Sequence, residues 1–211
     1  HPRVRRQRQM CIRDRYKERA AVKKIIMDLS TLFRSVAKSM FPEAKIVADK
    51  FHVIRVVINS LENVRKRIQK EFHATKRKWF KRSRYLLLKP EYKLTSEDKT
   101  ELARMLNSSY DLEKAYVLKE RFYEVFRKQT RTEAKKELGK WLLLAADLSL
   151  PEFRHCITTF SNWKTEIANI IGERVSNGFI EGSNNKIKVL KRISYGVQNF
   201  DRFRNRILYL Q

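Results

Sequence analysis

The sequence predicts an α/β fold dominated by helices, with one parallel strand pair near its start, and three observations carry that prediction. Two short β-branched runs, residues 22–27 and 44–48, flank a helix-spaced segment. From about residue 70 to residue 171, helical periodicities continue without a further strand. Five glycines and four prolines in 211 residues leave few breaks, which suits a helix-rich chain.

In chain order, VKKIIM at 22–27 reads as a strand ending at Asp28. Residues 30–41 place Leu32, Phe33, Val36, Ala37 and Met40 at helix spacing, and Pro42 stops that helix. AKIVA at 44–48 reads as a second, buried strand ending at Asp49. Val53, Val57, Leu61, Val64, Ile68 and Phe72 then mark a long amphipathic helix. Strand, helix and strand this close together form a βαβ unit, whose strands run parallel. Asp28 and Asp49 then share the carboxyl edge of the sheet, where open α/β sheets put their chemistry.

Residues 70–89 are basic and aromatic. Residues 95–98 offer a capping box for a helix from Glu97 to about Leu106. Further helices fall near 111–128, 132–146 and 151–171. The last carries Phe153, Ile157, Phe160, Trp163, Ile167 and Ile171 on one stripe. Trp141 and Trp163 sit on apolar stripes and read as core. Residues 172–178 break the pattern. A final helix over 179–194 puts Glu181, Asn184, Asn185, Lys188, Lys191 and Arg192 on one side. Ile180, Ile187 and Leu190 fall on the other, and an Arg-rich apolar segment, 199–210, closes the chain.

The formal charge is +25, from 48 Lys and Arg against 23 Asp and Glu. So basic a chain calls for a polyanion, and nucleic acid is the first expectation. The plainer reading is a solvated basic surface. Cys11 and Cys156 have no Cys or His at zinc-ligand spacing, so neither a disulfide framework nor a structural zinc is expected. No apolar run reaches the length of a membrane helix, and the start lacks the apolar stretch of a secretory signal. Residues 5–15, RRQRQMCIRDR, translate a nucleotide string that resembles a sequencing-library adapter. The first fifteen residues are therefore read as an adapter remnant or as a disordered basic arm.

The βαβ unit and the final helix could bring Asp28 and Glu181 together, and paired carboxylates suit divalent-metal chemistry because hard cations prefer carboxylate oxygens. Asp28 could equally cap the next helix, and a lone helical Glu is ordinarily a surface charge. Asp49 and His52, just after the second strand, could organise an active-site loop; otherwise they are a cap and a satisfied histidine. Lys188, Lys191, Arg192, Arg202, Arg204 and Arg206 together suit a DNA track, though each alone is a solvated charge. Trp79, Phe80 and Tyr85, set among cations, could stack on unpaired bases or pack between helices.

Two segments go further. MDLSTLFRSVAKSMFPEAKIVADKFHVIRVVINSLENVR and SNGFIEGSNNKIKVLKRISYGVQNFDRFRNRIL resemble the DDE domain of the ISL3 group of insertion-sequence transposases. The intervening WKTEIANII also fits, and the match covers roughly residues 17–210. The resemblance implies an RNase H-like core interrupted by an all-α insertion. The chain then divides into the arm at 1–15, a partial RNase H-like core at 16–69, a helical insertion at 70–171, and at 172–211 the core helix with its basic C-terminal segment. It further implies Asp28 as second catalytic Asp and Glu181 as closing Glu, both metal ligands. An alternative assignment gives the second catalytic place to Asp49. Asp49 and His52 match an Asp-x-x-His signature, and Asn177, Asn184 and Asn185 lie in the late motif as supporting residues. Two Mg²⁺ or Mn²⁺ ions, DNA ends and target as partners, a homodimer at synapsis and a bacterial cytoplasmic, nucleoid-associated location follow. The family's first catalytic Asp belongs on a strand upstream of Val22, and no such strand precedes it. The 211-residue chain alone is therefore expected to be inactive. The competing expectation is a non-catalytic, basic, helical nucleic-acid-binding protein.

Overall fold

The computed structural model describes residues 19–173, 178–197 and 199–209. The arm at 1–15 and Asn177 lie outside the described residues. The chain divides into two compact units, His1–Glu173 and Arg174–Gln211.

In the first unit, β1 (Lys24–Met27) and β2 (Lys45–Ala48) pair in parallel, with register from Lys24 opposite Lys45 to Met27 opposite Ala48. Among the described residues these are the only strands. Helix α1 (Thr31–Met40) makes the crossover, as the βαβ reading required. Its cap is Ser30, whose Oγ accepts from the Phe33 amide at 3.4 Å, so Asp28 is not the cap. An amphipathic helix ordinarily turns its apolar stripe to the core. Here only Ala37 is buried, and Leu32, Phe33 and Val36 are exposed. Asp49 holds the N-cap position of α2 (Lys50–Gln69), yet its side chain makes no cap bond. Val53, Val57, Leu61, Val64 and Ile68 of α2 are buried as their spacing predicts.

The helices that follow are α3 (Ala74–Arg82), α4 (Arg84–Leu88), α5 (Ser96–Leu106), α6 (Tyr110–Val125) and α7 (Arg131–Asp147). After a 3₁₀ turn at Pro151–Phe153 come α8 (Arg154–Asn162) and α9 (Lys164–Ala168). Thr95 caps α5 by accepting from the Asp98 amide, while a full reciprocal box forms at Thr130 and Glu133 before α7. The centre of this region is aromatic. Phe122 stacks on Phe160 at 5.1 Å, and Trp141 lies 5.1 and 5.6 Å from those two rings. Trp141 and Trp163 are both core, as expected. Buried Lys119 donates to the carbonyls of Leu87 and Lys89, at 2.9 and 2.7 Å, and ties the end of α4 to α6.

The single helix expected over 151–171 is corrected to the 3₁₀ turn, α8 and α9. The break falls at Trp163, with φ −111° and ψ 15°. There the Asn162 carbonyl accepts from Arg34 Nη1 at 2.7 Å, and the Arg34 guanidinium lies 4.3 Å over the Trp163 ring. Gly172 ends the helical run with φ +81°, a backbone state that favours glycine.

The second unit holds α10 (Gly178–Ile193) and α11 (Phe200–Tyr209). Ser194 Oγ donates to the Leu190 carbonyl at 2.6 Å and accepts from Arg206 Nη1 at 3.1 Å. Leu190 is buried and Ile187 half-buried, in keeping with the predicted apolar side.

Candidate active site at the strand ends

The parallel register decides the site. Met27 and Ala48 are paired, so the residues after them, Asp28 and Asp49, leave the sheet side by side. The ladder runs one bond further, from the Asp49 amide to the Met27 carbonyl at 2.8 Å. His52 stands in the first turn of α2, three residues after Asp49. Its Nδ1 is 2.5 Å from Asp49 Oδ2 and 3.0 Å from Asp28 Oδ1. One ring N–H aimed at both carboxylates offsets the repulsion of two like charges. The Asp49 carboxylate is thus turned to the imidazole, which explains the missing helix cap.

Burial grades the three. The Asp49 side chain is 4% exposed, His52 30% and Asp28 52%. Asp49 and His52 form the wall, and Asp28 reaches solvent. Their ligand atoms all lie within 4.8 Å of one another, so the group could hold a metal ion. Two carboxylates suit a hard cation such as Mg²⁺ or Mn²⁺, whereas imidazole suits softer metals. The donor set therefore fits such an ion at the exposed Asp28, with His52, itself held by Asp49, as the hydrogen-bond partner that orients it.

Asp28, Asp49 and His52 are thus brought together. The backbone of Glu181 lies in α10, and its side chain lies outside the described residues. Asn184, Asn185, Lys188, Lys191 and Arg192 are exposed on α10, and Arg202, Arg204 and Arg206 on α11. Of the two readings of the aromatics, packing describes Phe80 and Trp79, while Tyr85 is 46% exposed. Phe80 is fully buried, Trp79 is half-buried with its Nε1 donating to Glu101, and Tyr85 donates to Asp98 at 3.2 Å. Helix α3 turns the Phe80 and Trp79 rings toward neighbouring helices.

Glu173 was not legible in the sequence. Its carboxylate meets Lys24 at 2.6 Å, Lys45 at 2.8 Å and Arg131 at 3.1 Å. It therefore joins the starts of both strands to α7. Hydrogen bonds from Lys24 and Lys45 hold its carboxyl down at about 2, against a usual 4.5. Cys156 is equally outside the chemistry. Burial pushes its thiol up to about 11, and it contacts Ser60 Oγ at 3.2 Å. Among the described residues, no helix is long and apolar enough to cross a membrane.

A family model described as Transposase, of the ISL3-type DDE class, matches residues 3–207. The transposase of insertion sequence IS1557 from Mycobacterium tuberculosis is 27% identical over 206 residues, covering 86% of this chain and 46% of that protein. That of IS1001 from Bordetella parapertussis is 25% identical over 186 residues, with the same coverage. A Lactococcus lactis protein named ATP-dependent protease is 35% identical over 94 residues, covering 44% of this chain and 26% of its own length. The chain spans about half the length of the transposases it matches. No solved structure matches it significantly.

Proposed function

The chain belongs to the ISL3-type transposase family, and from that membership we propose that it supplies part of the catalytic centre for cutting and joining DNA at insertion-sequence ends. The observation that carries this reading is the shared His52 contact to Asp28 and Asp49 at adjacent parallel strand ends. In the reading, these strands belong to an RNase H-like core and the helices after residue 70 are its insertion. Asp28 and Glu181 ligate metal and are catalytic. Asp49 and His52 hold Asp28 in place, and Asn177, Asn184 and Asn185 support Glu181. The cations Lys188, Lys191, Arg192, Arg202, Arg204 and Arg206 contact phosphates. Two Mg²⁺ or Mn²⁺ ions, when bound, supply nucleophile activation and charge neutralisation at the phosphodiester. The complete protein acts on DNA as a homodimer in the bacterial cytoplasm. In this reading the basic chain itself binds DNA.

The test is made in the complete transposase. Asp28→Asn and Glu181→Gln should each abolish end cleavage while end binding in a gel-shift assay persists. Cleavage retained in either variant, or lost only together with binding, overturns the catalytic assignment. Asp49→Asn decides the alternative: residual cleavage there alongside none in Asp28→Asn leaves the second catalytic place with Asp28. Loss in Asp49→Asn with residual cleavage in Asp28→Asn transfers that place to Asp49.

A further inference from the structure

We propose that the exposed face of α3 is a second DNA-backbone contact, built into the helical insertion and separate in sequence from the C-terminal cations. This rests on the DNA-acting reading above.

The segment from Phe72 to Pro90 holds seven Lys and Arg and no Asp or Glu. Four of the cations, Arg77, Lys78, Lys81 and Arg82, are exposed. On a helix they form two i,i+4 pairs, Arg77 with Lys81 and Lys78 with Arg82, all on one side. Among the described residues none of the four has an ion-pair partner. Elsewhere in the insertion some cations are paired, although Lys93, Lys99, Arg121, Lys135, Lys136 and Arg154 are also exposed without an ion pair among the described residues. Arg104 pairs with Glu101, Arg127 with Glu124, and Lys128 and Lys140 with Glu137. Like charges at i,i+4 oppose helix formation, so α3 carries a repulsion that its fold does not relieve. Its other side explains how it survives. Phe80 is fully buried and lies 5.0 Å from Phe72, and Trp79 donates to Glu101.

The shape agrees with the charge. Gln69, Phe72, Ala74, Arg77, Lys78 and Lys81 line a concavity of about 450 Å³ where α2 hands over to α3. Lys66 and Lys70, at the end of α2, add two more cations without an ion pair among the described residues. A row of unpaired Lys and Arg beside a shallow groove fits a run of phosphates, which it reads by charge rather than by base. Duplex DNA is the occupant that this complementarity and the family membership favour.

The probe is a 30-base-pair duplex of arbitrary sequence, titrated with the 211-residue chain across a salt series. In R77Q/K78Q/K81Q/R82Q the slope of log affinity against log salt should shrink by roughly 3 to 4. At low salt the affinity should fall by more than about tenfold. R104Q/R127Q/K128Q/K140Q removes the same charge from ion-paired positions and should change the slope by less than about 1. Circular dichroism checks that both variants keep their helices. Equal losses in the two variants mean bulk attraction only and overturn the proposal. An unchanged slope in the first variant overturns it while leaving the transposase reading intact. A parent chain that binds no duplex overturns both. Retention on anionic phosphatidylglycerol vesicles that these four substitutions abolish, with duplex binding unchanged, assigns the face to a lipid surface and overturns it as well.

Discussion

Helices α1 and α6 carry apolar residues at the same spacing and bury them differently. In α6, Leu112, Ala115, Leu118, Phe122 and Val125 are essentially inaccessible. In α1, Leu32, Phe33 and Val36 are 68%, 60% and 50% exposed. The difference lies in the neighbours. Helix α6 packs against both α2 and α7, while α1 rests on a sheet of two strands. Strands stand about 5 Å apart, and a helix with its side chains is about 10 Å across. A two-stranded sheet is too narrow to cover a full apolar stripe. Periodicity therefore reports which side of a helix is apolar, and burial waits on a surface wide enough to meet it.

The largest expected effect tests the well-covered side of that contrast. Phe160→Ala empties the stack against Phe122 and Trp141 and should cost about 3–5 kcal/mol in urea unfolding. A cost under about 1 kcal/mol, the size of an ordinary tolerated change, would show that the aromatic centre is not what holds the helices.

A smaller effect concerns how the strand pair is joined to those helices. That junction is ionic, through Glu173. Its carboxyl lies below the usual range, so the stabilisation is complete above about pH 4.5 and is lost as pH falls toward about 2. The native chain should exceed Glu173→Gln in urea midpoint at neutral pH, and the two should converge as pH nears 2. A gap that stays constant with pH rules the ionic junction out. Added salt should narrow the gap, because two of the three cations are half exposed.

The smallest effect tests the uncovered side. Phe33→Ala should shift unfolding by no more than about 0.5 kcal/mol in this chain, as surface changes do. A core-sized loss would mean that α1 is covered in solution.

The parallel strand pair, the helical stretch after it and the side-by-side placement of Asp28 and Asp49 were all legible. Each follows from local pattern plus one topological rule, the crossover between parallel strands. The contact of His52 with both acids was legible only as a motif, since its spacing from Asp49 puts it within one helical turn. What escaped depends on partners distant in sequence. The break at Trp163 needs Arg34 at the Asn162 carbonyl, and Glu173 needs Lys24, Lys45 and Arg131. Lys119 reads as a surface charge until the ends of α4 are folded onto it. The outward face of α1 escaped for the opposite reason, because a regular stripe implies a neighbour that two strands do not provide.

Glu173 is also the last residue of its unit. A single carboxylate therefore fastens the end of its unit at three places far apart in the chain, the starts of the two strands and the first residue of α7.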